Sequence, residues 1–302
     1  MRLSVIVLAF VCICGVAIGI AATAQDDDVR GAFLTSRPKV KPASTGTAAK
    51  PSRRRSRTTA ATNKPSKPPE NTTGTPATTA TSSKTSEPSK PVNAPRLGLG
   101  LTLFMRDSNG LAVRVDPNHV FTKGDRVRVL LETNADGYLY IFNTTNDGPA
   151  TMIYPDADLD EAGNYLQAHV PFEIPTSLAT EERLRWFAFD ENAGTERLFL
   201  VFTREPLGGI PIDDELIALC RDSKESCSVK PNAEVWAAVQ KELQQPLKTD
   251  KKQPNGQAET ASEQQATTRG LGLAKDDPQP SLVMMASSAR PTLVATLDLI
   301  HK

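Results

Sequence analysis

The stretch whose residue types and spacing most directly imply chemistry is Pro155-Asp156-Ala157-Asp158-Leu159-Asp160-Glu161-Ala162-Gly163-Asn164. Alternating aspartates place Asp156, Asp158 and Asp160 on one side of a loop, the oxygen-rich arrangement that a hard cation such as Ca2+ requires. The stretch departs from an EF-hand loop, with Glu161 where the turn glycine belongs and Gln167 where the bidentate glutamate would stand. The competing reading is an acidic, solvated turn shaped by Gly163 and Asn164. A second acid-rich stretch, Asp190, Glu191 and Glu196 followed by Arg197 and Arg204, offers carboxylates for acid–base work on a polysaccharide, or structural ion pairs. Arg126 and Arg128 share one strand face, which either takes an anion or keeps a sheet face soluble.

Other signatures are missing. His119, His169 and His301 stand at no metal-ligand spacing, and there is no Walker A loop, G-x-S-x-G elbow or G-x-G-x-x-G. Leu97-Gly98-Leu99-Gly100-Leu101 has glycines but precedes a strand, so it makes no phosphate cradle. No catalytic residue is assigned, and Ca2+ is the only cofactor implied. Cys220 and Cys227 are an even pair at short spacing, suited to a disulfide in an exported protein, whereas Cys12 and Cys14 lie in an apolar N-terminal run.

The elements that must position these residues are mostly strands. Phe121 to Phe142 holds the strongest pattern: Val127, Val129 and Leu131 alternate with Arg126, Arg128 and Glu132, then an Asn134-Ala135-Asp136-Gly137 turn feeds Tyr138-Leu139-Tyr140-Ile141-Phe142. The first strand is expected to have one solvated face, and the second to be central and covered on both sides. Ser108-Asn109-Gly110 reads as a hairpin turn, and further short strands are expected at 151–154, 165–174, 184–189 and 198–203. Asp213 and Asn232 read as caps of two helices, Asp214 to Arg221 and Ala233 to Gln245, with Trp236, Val239 and Leu243 facing the sheet. Alternation at Leu293, Ala295, Leu297 and Leu299 predicts a C-terminal strand that closes the domain.

GDRVRVLLETNADGYLYIF at 124–142, then Met152-Ile153-Tyr154-Pro155, Asn164-Tyr165 and Gly194-Thr195-Glu196-Arg197-Leu198, resembles the bacterial domain-of-unknown-function family 4384. The resemblance covers roughly Leu97 to Pro206 plus the C-terminal strand. It implies a β-rich extracytoplasmic module, in some proteins appended to kinase or peptidase domains, with no agreed reaction. No kinase or peptidase signature accompanies it here.

The expected architecture is therefore mainly β: an Ig-like or Greek-key β-sandwich with two short helices and a C-terminal closing strand, flanked by disordered segments. Its expected parts are a signal peptide at 1–24, a disordered basic Pro/Thr/Ser/Lys-rich arm at 25–96, the sandwich core at 97–212, a helical segment at 213–246, a disordered linker at 247–280 and closing strands at 281–302. Lysines plus arginines equal aspartates plus glutamates at 35 each, yet the arm is basic and the rest acidic. Arg53-Arg54-Arg55-Ser56-Arg57 lacks interleaved aromatics, so nucleic acid is not an expected partner. The functional expectation is a non-enzymatic exported module, periplasmic, cell-surface or secreted, that binds a protein or an anionic envelope polymer. It has no membrane span once the leader is removed. The alternatives are a carboxylate-dependent polysaccharide hydrolase and a calcium-stabilised structural module.

Overall fold

A computed structural model describes residues 28–39, 95–157, 163–221, 227, 229–252 and 255–302. In chain order the elements are α1 (Val29–Leu34), β1 (Gly98–Arg106), β2 (Ala112–Arg114), β3 (Val120–Phe121), β4 (Arg126–Thr133), β5 (Gly137–Thr145), β6 (Thr151–Tyr154), β7 (Tyr165–Leu166), β8 (Phe172–Ile174), β9 (Phe187–Ala188) and β10 (Gly194–Thr203). They continue with α2 (Asp213–Cys220), α3 (Ala233–Leu243), β11 (Leu247–Lys251), α4 (Ala261–Arg269), β12 (Leu282–Ala286) and β13 (Thr292–His301).

Two open sheets share a core. The first runs β11-β12-β1-β4-β8, with β2 added to β1 and β9 to β4; the second runs β3-β13-β10-β5-β6, with β7 added to β5. Leu99, Leu101 and Leu103 of β1 and Val127, Val129 and Leu131 of β4 pack against Leu139 and Ile141 of β5 and Leu198, Leu200 and Phe202 of β10. The period of two puts these residues on one face of each strand. β13 pairs antiparallel with β10 from Gly194↔His301 to Thr203↔Thr292, so the chain end lies inside the second sheet. β3 adds a short parallel contact at the same end, Ile300↔Val120.

The simple Ig-like sandwich with two helices is overturned. Four helices are present among the described residues, and they cover both outer faces of two sheets that do not close, which makes the fold mixed α/β. On the second sheet, Tyr140, Phe142, Phe199 and Val201 turn outward and pack on Leu216 of α2 and on Val235 and Val239 of α3. On the first, α1 and α4 cover a face that sequence alternation marks as solvated: Arg128 and Glu132 of β4 are 5% and 3% exposed. The flanking segments expected to be disordered supply this cover, because 28–39 contains α1 and 247–280 contains β11 and α4.

Local signals set the helix ends. Asn232 caps α3 through Val235 N, as its type and position predict. Asp213 instead lies inside α2 with φ 50° and Ile212 at the N-cap, so the helix starts without a side-chain cap. α4 carries a full capping box, Thr260 with Glu263, and ends on Gly270 at φ 62°. Tyr165 to Ile174 is not one strand: it breaks between β7 and β8 at His169, whose φ is 59°. Residues 1–27, including the expected leader, and Arg53–Arg57 lie outside the described residues. Among those described, no helix is long and apolar enough to cross a membrane.

Candidate functional site: the outer face of the first sheet

Alternation on β1 and β4 that buries Leu101 and Val129 in the core must send Gly98, Gly100, Thr102, Arg128 and Glu132 to the other side. This outer face is not wetted. It binds the segment from Asp28 to Arg37, which is separated in sequence from the start of β1 at Gly98.

Three side chains of the segment are buried: Phe33 at 0%, Arg37 at 2% and Arg30 at 4% exposure. Phe33 packs with Val283 and Met285 of β12. The two glycines of β1 make its room, because a Cβ at Gly98 would stand 2.8 Å from Phe33 Cδ2, and one at Gly100 would stand 3.1 Å from Phe33 Cζ. The Leu-Gly-Leu-Gly-Leu run is thus an aromatic seat.

The two arginines anchor either end. Arg30 donates from Nε to Asp250 Oδ2 (2.8 Å), from Nη2 to the Asp250 carbonyl (2.9 Å) and from Nη1 to the Pro280 carbonyl (2.6 Å). Arg37 grips Glu132 with two bonds, Nε to Oε1 at 2.8 Å and Nη2 to Oε2 at 2.6 Å. Its other donors reach the carbonyls of Ala274, Asp277 and Pro278 at 3.0–3.1 Å. All five guanidinium donors are therefore satisfied, which is what allows a buried arginine to be stable. α1 itself is too short to persist alone, even with Asp28 accepting from Gly31 N at 2.7 Å, so the sheet must hold it.

Between Phe33 and Arg37 lies a polar chain that sequence spacing does not reveal. Ser36 Oγ is 2.7 Å from His169 Nε2, and His169 Nδ1 is 2.6 Å from Glu132 Oε1. The left-handed backbone at His169 turns its ring inward, edge-on to Phe33 at 5.6 Å between centroids. Because a carboxylate only accepts, the Glu132 contact fixes the imidazole proton on Nδ1 and leaves Nε2 to accept from the serine when the ring is neutral.

Further along the face, Arg128 stacks on Trp186, 4.4 Å from the guanidinium carbon to the ring centroid. It serves two glutamates. Its Nε is 2.7 Å from Glu173 Oε1, an ion pair not aligned as a hydrogen bond, and its Nη2 donates to Glu259 at 3.2 Å. Burial, and then the nearby Glu173 carboxylate, push the Glu259 carboxyl up to about 7, only partly offset by Arg128. Arg114, 3% exposed, pairs with Glu263 of α4 and bonds Thr102 Oγ1 and Ser281 Oγ.

The residues singled out by sequence are scattered. Asp156 is half-buried after β6, while Asp158 and Asp160 lie outside the described residues, and no cluster of three metal-ligating side chains occurs among those described. Glu191 pairs at the surface with Lys123 (2.7 Å), Asp190 bonds Asn192, and Glu196 accepts from Asn143 and Thr145. Arg197 grips Asp298 and Asp147 rather than Glu196, and Arg204 donates to the Pro95 carbonyl. Arg126 shares its strand face with Arg128 but borders a groove with Arg106 and Asp125 that Arg128 does not line. Of the histidines, His119 packs on Phe121 and His301 on Phe189, and only His169 joins the site. Cys220 and Cys227 form a disulfide at the end of α2. Beside α3, Arg197, Phe199, Trp236 and Asp298 line a groove of about 290 Å³.

Comparison with protein families adds one assignment. Residues 120–206 match the Domain of unknown function (DUF4384). The DUF4384 match spans β3 to the end of β10 and carries Arg128, Glu132, His169 and Glu173. Arg30, Phe33, Ser36, Arg37, Glu259 and Glu263, which complete the face, come from outside it. Comparison with curated proteins and with solved structures returns no match. Neither the fold nor these comparisons shows an export signal or a bacterial source.

The sequence signal for this half of the site is the island VRGAFLTSR, an apolar patch with an arginine near each end, which by sequence reads as a docking peptide or, in preference, as a piece of disordered chain.

Proposed function

We propose that this chain is a binding module working outside the cytoplasm, and that its binding surface is the outer face of the first sheet, which takes a short linear segment. The observation that carries this reading is the burial of Arg30, Phe33 and Arg37 on that face. A short peptide gains affinity from a few deeply buried anchors, with aromatic and arginine side chains foremost. The carboxylates that receive them, Asp250 and Glu132, favour a cationic and aromatic ligand. That favours a protein segment over an anionic envelope polymer as the partner. The disulfide Cys220–Cys227 supports an oxidising, extracytoplasmic location.

The test uses a labelled peptide of sequence 28–39 titrated into the full chain and into its Phe33→Ala/Arg37→Ala variant, which vacates its own groove. The variant is expected to bind the peptide, and the wild-type chain to bind it at least tenfold more weakly because its tethered segment competes. A variant that ignores the peptide contradicts the reading. A calcium-stabilised module remains the second proposal for the 155–164 loop, and a melting temperature unmoved by Ca2+ or chelator would dispose of it.

A further inference from the structure

We propose that docking of the N-terminal segment assembles an acyl-transfer site, with Ser36 as nucleophile, His169 as general base and Glu132 as the carboxylate that orients the base, acting on short carboxylic esters. The proposal rests on the docked segment and goes beyond binding.

Three features point to it together. The serine Oγ to Nε2 and Nδ1 to carboxylate distances, 2.7 and 2.6 Å, are those of a nucleophile, its base and the base's orienting partner. The burial is graded in the sense such a relay needs: Glu132 and His169 are 3% and 2% exposed, whereas Ser36 is exposed and open to an incoming ester. The backbone at His169 occupies the left-handed region, uncommon for a residue with a side chain, and it is this turn that brings the ring over Glu132. Arg37 acts as a positioning residue, because its double bond to Glu132 fixes the carboxylate beneath the imidazole. The three groups come from three distant parts of the chain, which is why no local motif announces them.

In the reaction, Ser36 Oγ attacks the ester carbonyl carbon and its proton passes to His169 Nε2. Collapse of the tetrahedral adduct breaks the bond to the alcohol oxygen, which leaves with the proton from Nε2. Water, deprotonated by the same nitrogen, then attacks the acyl-serine, releases the carboxylic acid and restores Ser36. The five donors of Arg37 are all engaged, so this neighbouring cation has none to offer an oxyanion. Turnover is therefore expected to be slow, and a covalent adduct is the primary readout.

The experiment treats the full chain with a small fluorophosphonate probe, maps the adduct by peptide mass, and follows 4-nitrophenyl acetate cleavage in parallel. Hydrogen exchange over 29–37 reports whether the segment is docked. The expected result is a single adduct on Ser36, absent in Ser36→Ala. It should form about a hundredfold more slowly in His169→Asn, a residue that tolerates the left-handed turn but supplies no base. No adduct on a chain whose segment is protected overturns the acyl-transfer site and leaves the binding surface standing. An adduct elsewhere, or equal labelling of Ser36 in His169→Asn, also overturns it. An unprotected segment overturns both readings.

Discussion

At the scale of single residues, the outer face of the first sheet is stable because each buried charge has a partner, and its weak point is the shared one. Glu259 and Glu173 both depend on Arg128, and Glu259 is displaced upward to about 7 from 4.5. Between those values the folded chain holds a proton at this site that the unfolded chain has released. Stability from this group therefore falls as pH rises from about 4.5 to about 7, by on the order of 3 kcal/mol. Glu259→Gln keeps an acceptor for Arg128 without the charge. It should raise the melting temperature at pH 8 and leave it nearly unchanged at pH 4.5, and equal effects at both would contradict the assignment. Arg37→Ala acts in the opposite sense. It strands Glu132 beside His169, and the expected response is release of the segment, read as rapid proteolysis within 28–39. The sequence shows why such residues are hard to read. Alternation correctly places Arg128 and Glu132 together on one strand face, but it cannot say whether that face is wet. Their partners lie far off in sequence, Arg37 at a separation of 95 from Glu132 and Glu259 at 131 from Arg128.

At the scale of elements, β1 shows how a strand can serve two faces at once. Its leucines fill the core, and its glycines leave a depression for Phe33 and for Pro280, whose ring carbons would collide with a Cβ at Gly100. Gly98→Val should expel Phe33 while keeping the sheet, since valine suits a strand. The expected signature is lost protection over 29–37 with the strand amides of β1 and β4 still protected. Loss of both together would mean the segment is integral to the core. Strands with clean alternation, β4 and β13, were legible from sequence, and so were β5, apolar on both faces, and the Asn232 cap of α3. The break at His169 was only half legible, because the left-handed residue there is not glycine, and Pro171 alone, which cannot donate to a ladder, marks an interruption in Tyr165 to Ile174. α1 and α4 were also hidden. One is six residues long, and the other, ASEQQATTR, has no apolar stripe, so neither declares a helix without the sheet it covers.

At the scale of the whole molecule, the DUF4384 match is the middle of a larger unit. Its strands need β1, β12 and β13 to complete the two sheets and four helices to cover them. Removing Thr292 to Lys302 should abolish cooperative unfolding, since β13 pairs with β10 along its full length and lends Leu293, Ala295, Leu297 and Leu299 to the core. A truncated chain that still melts in one sharp transition would contradict that dependence. Above all, the body holds its own N-terminal segment on a face made for it. Hydrogen exchange of the amides from Ala32 to Arg37 in the full chain tests this most directly. The expected result is exchange slowed well below the free peptide, with return to the free rate in Glu132→Ala. Free-peptide exchange in the wild-type chain would contradict it.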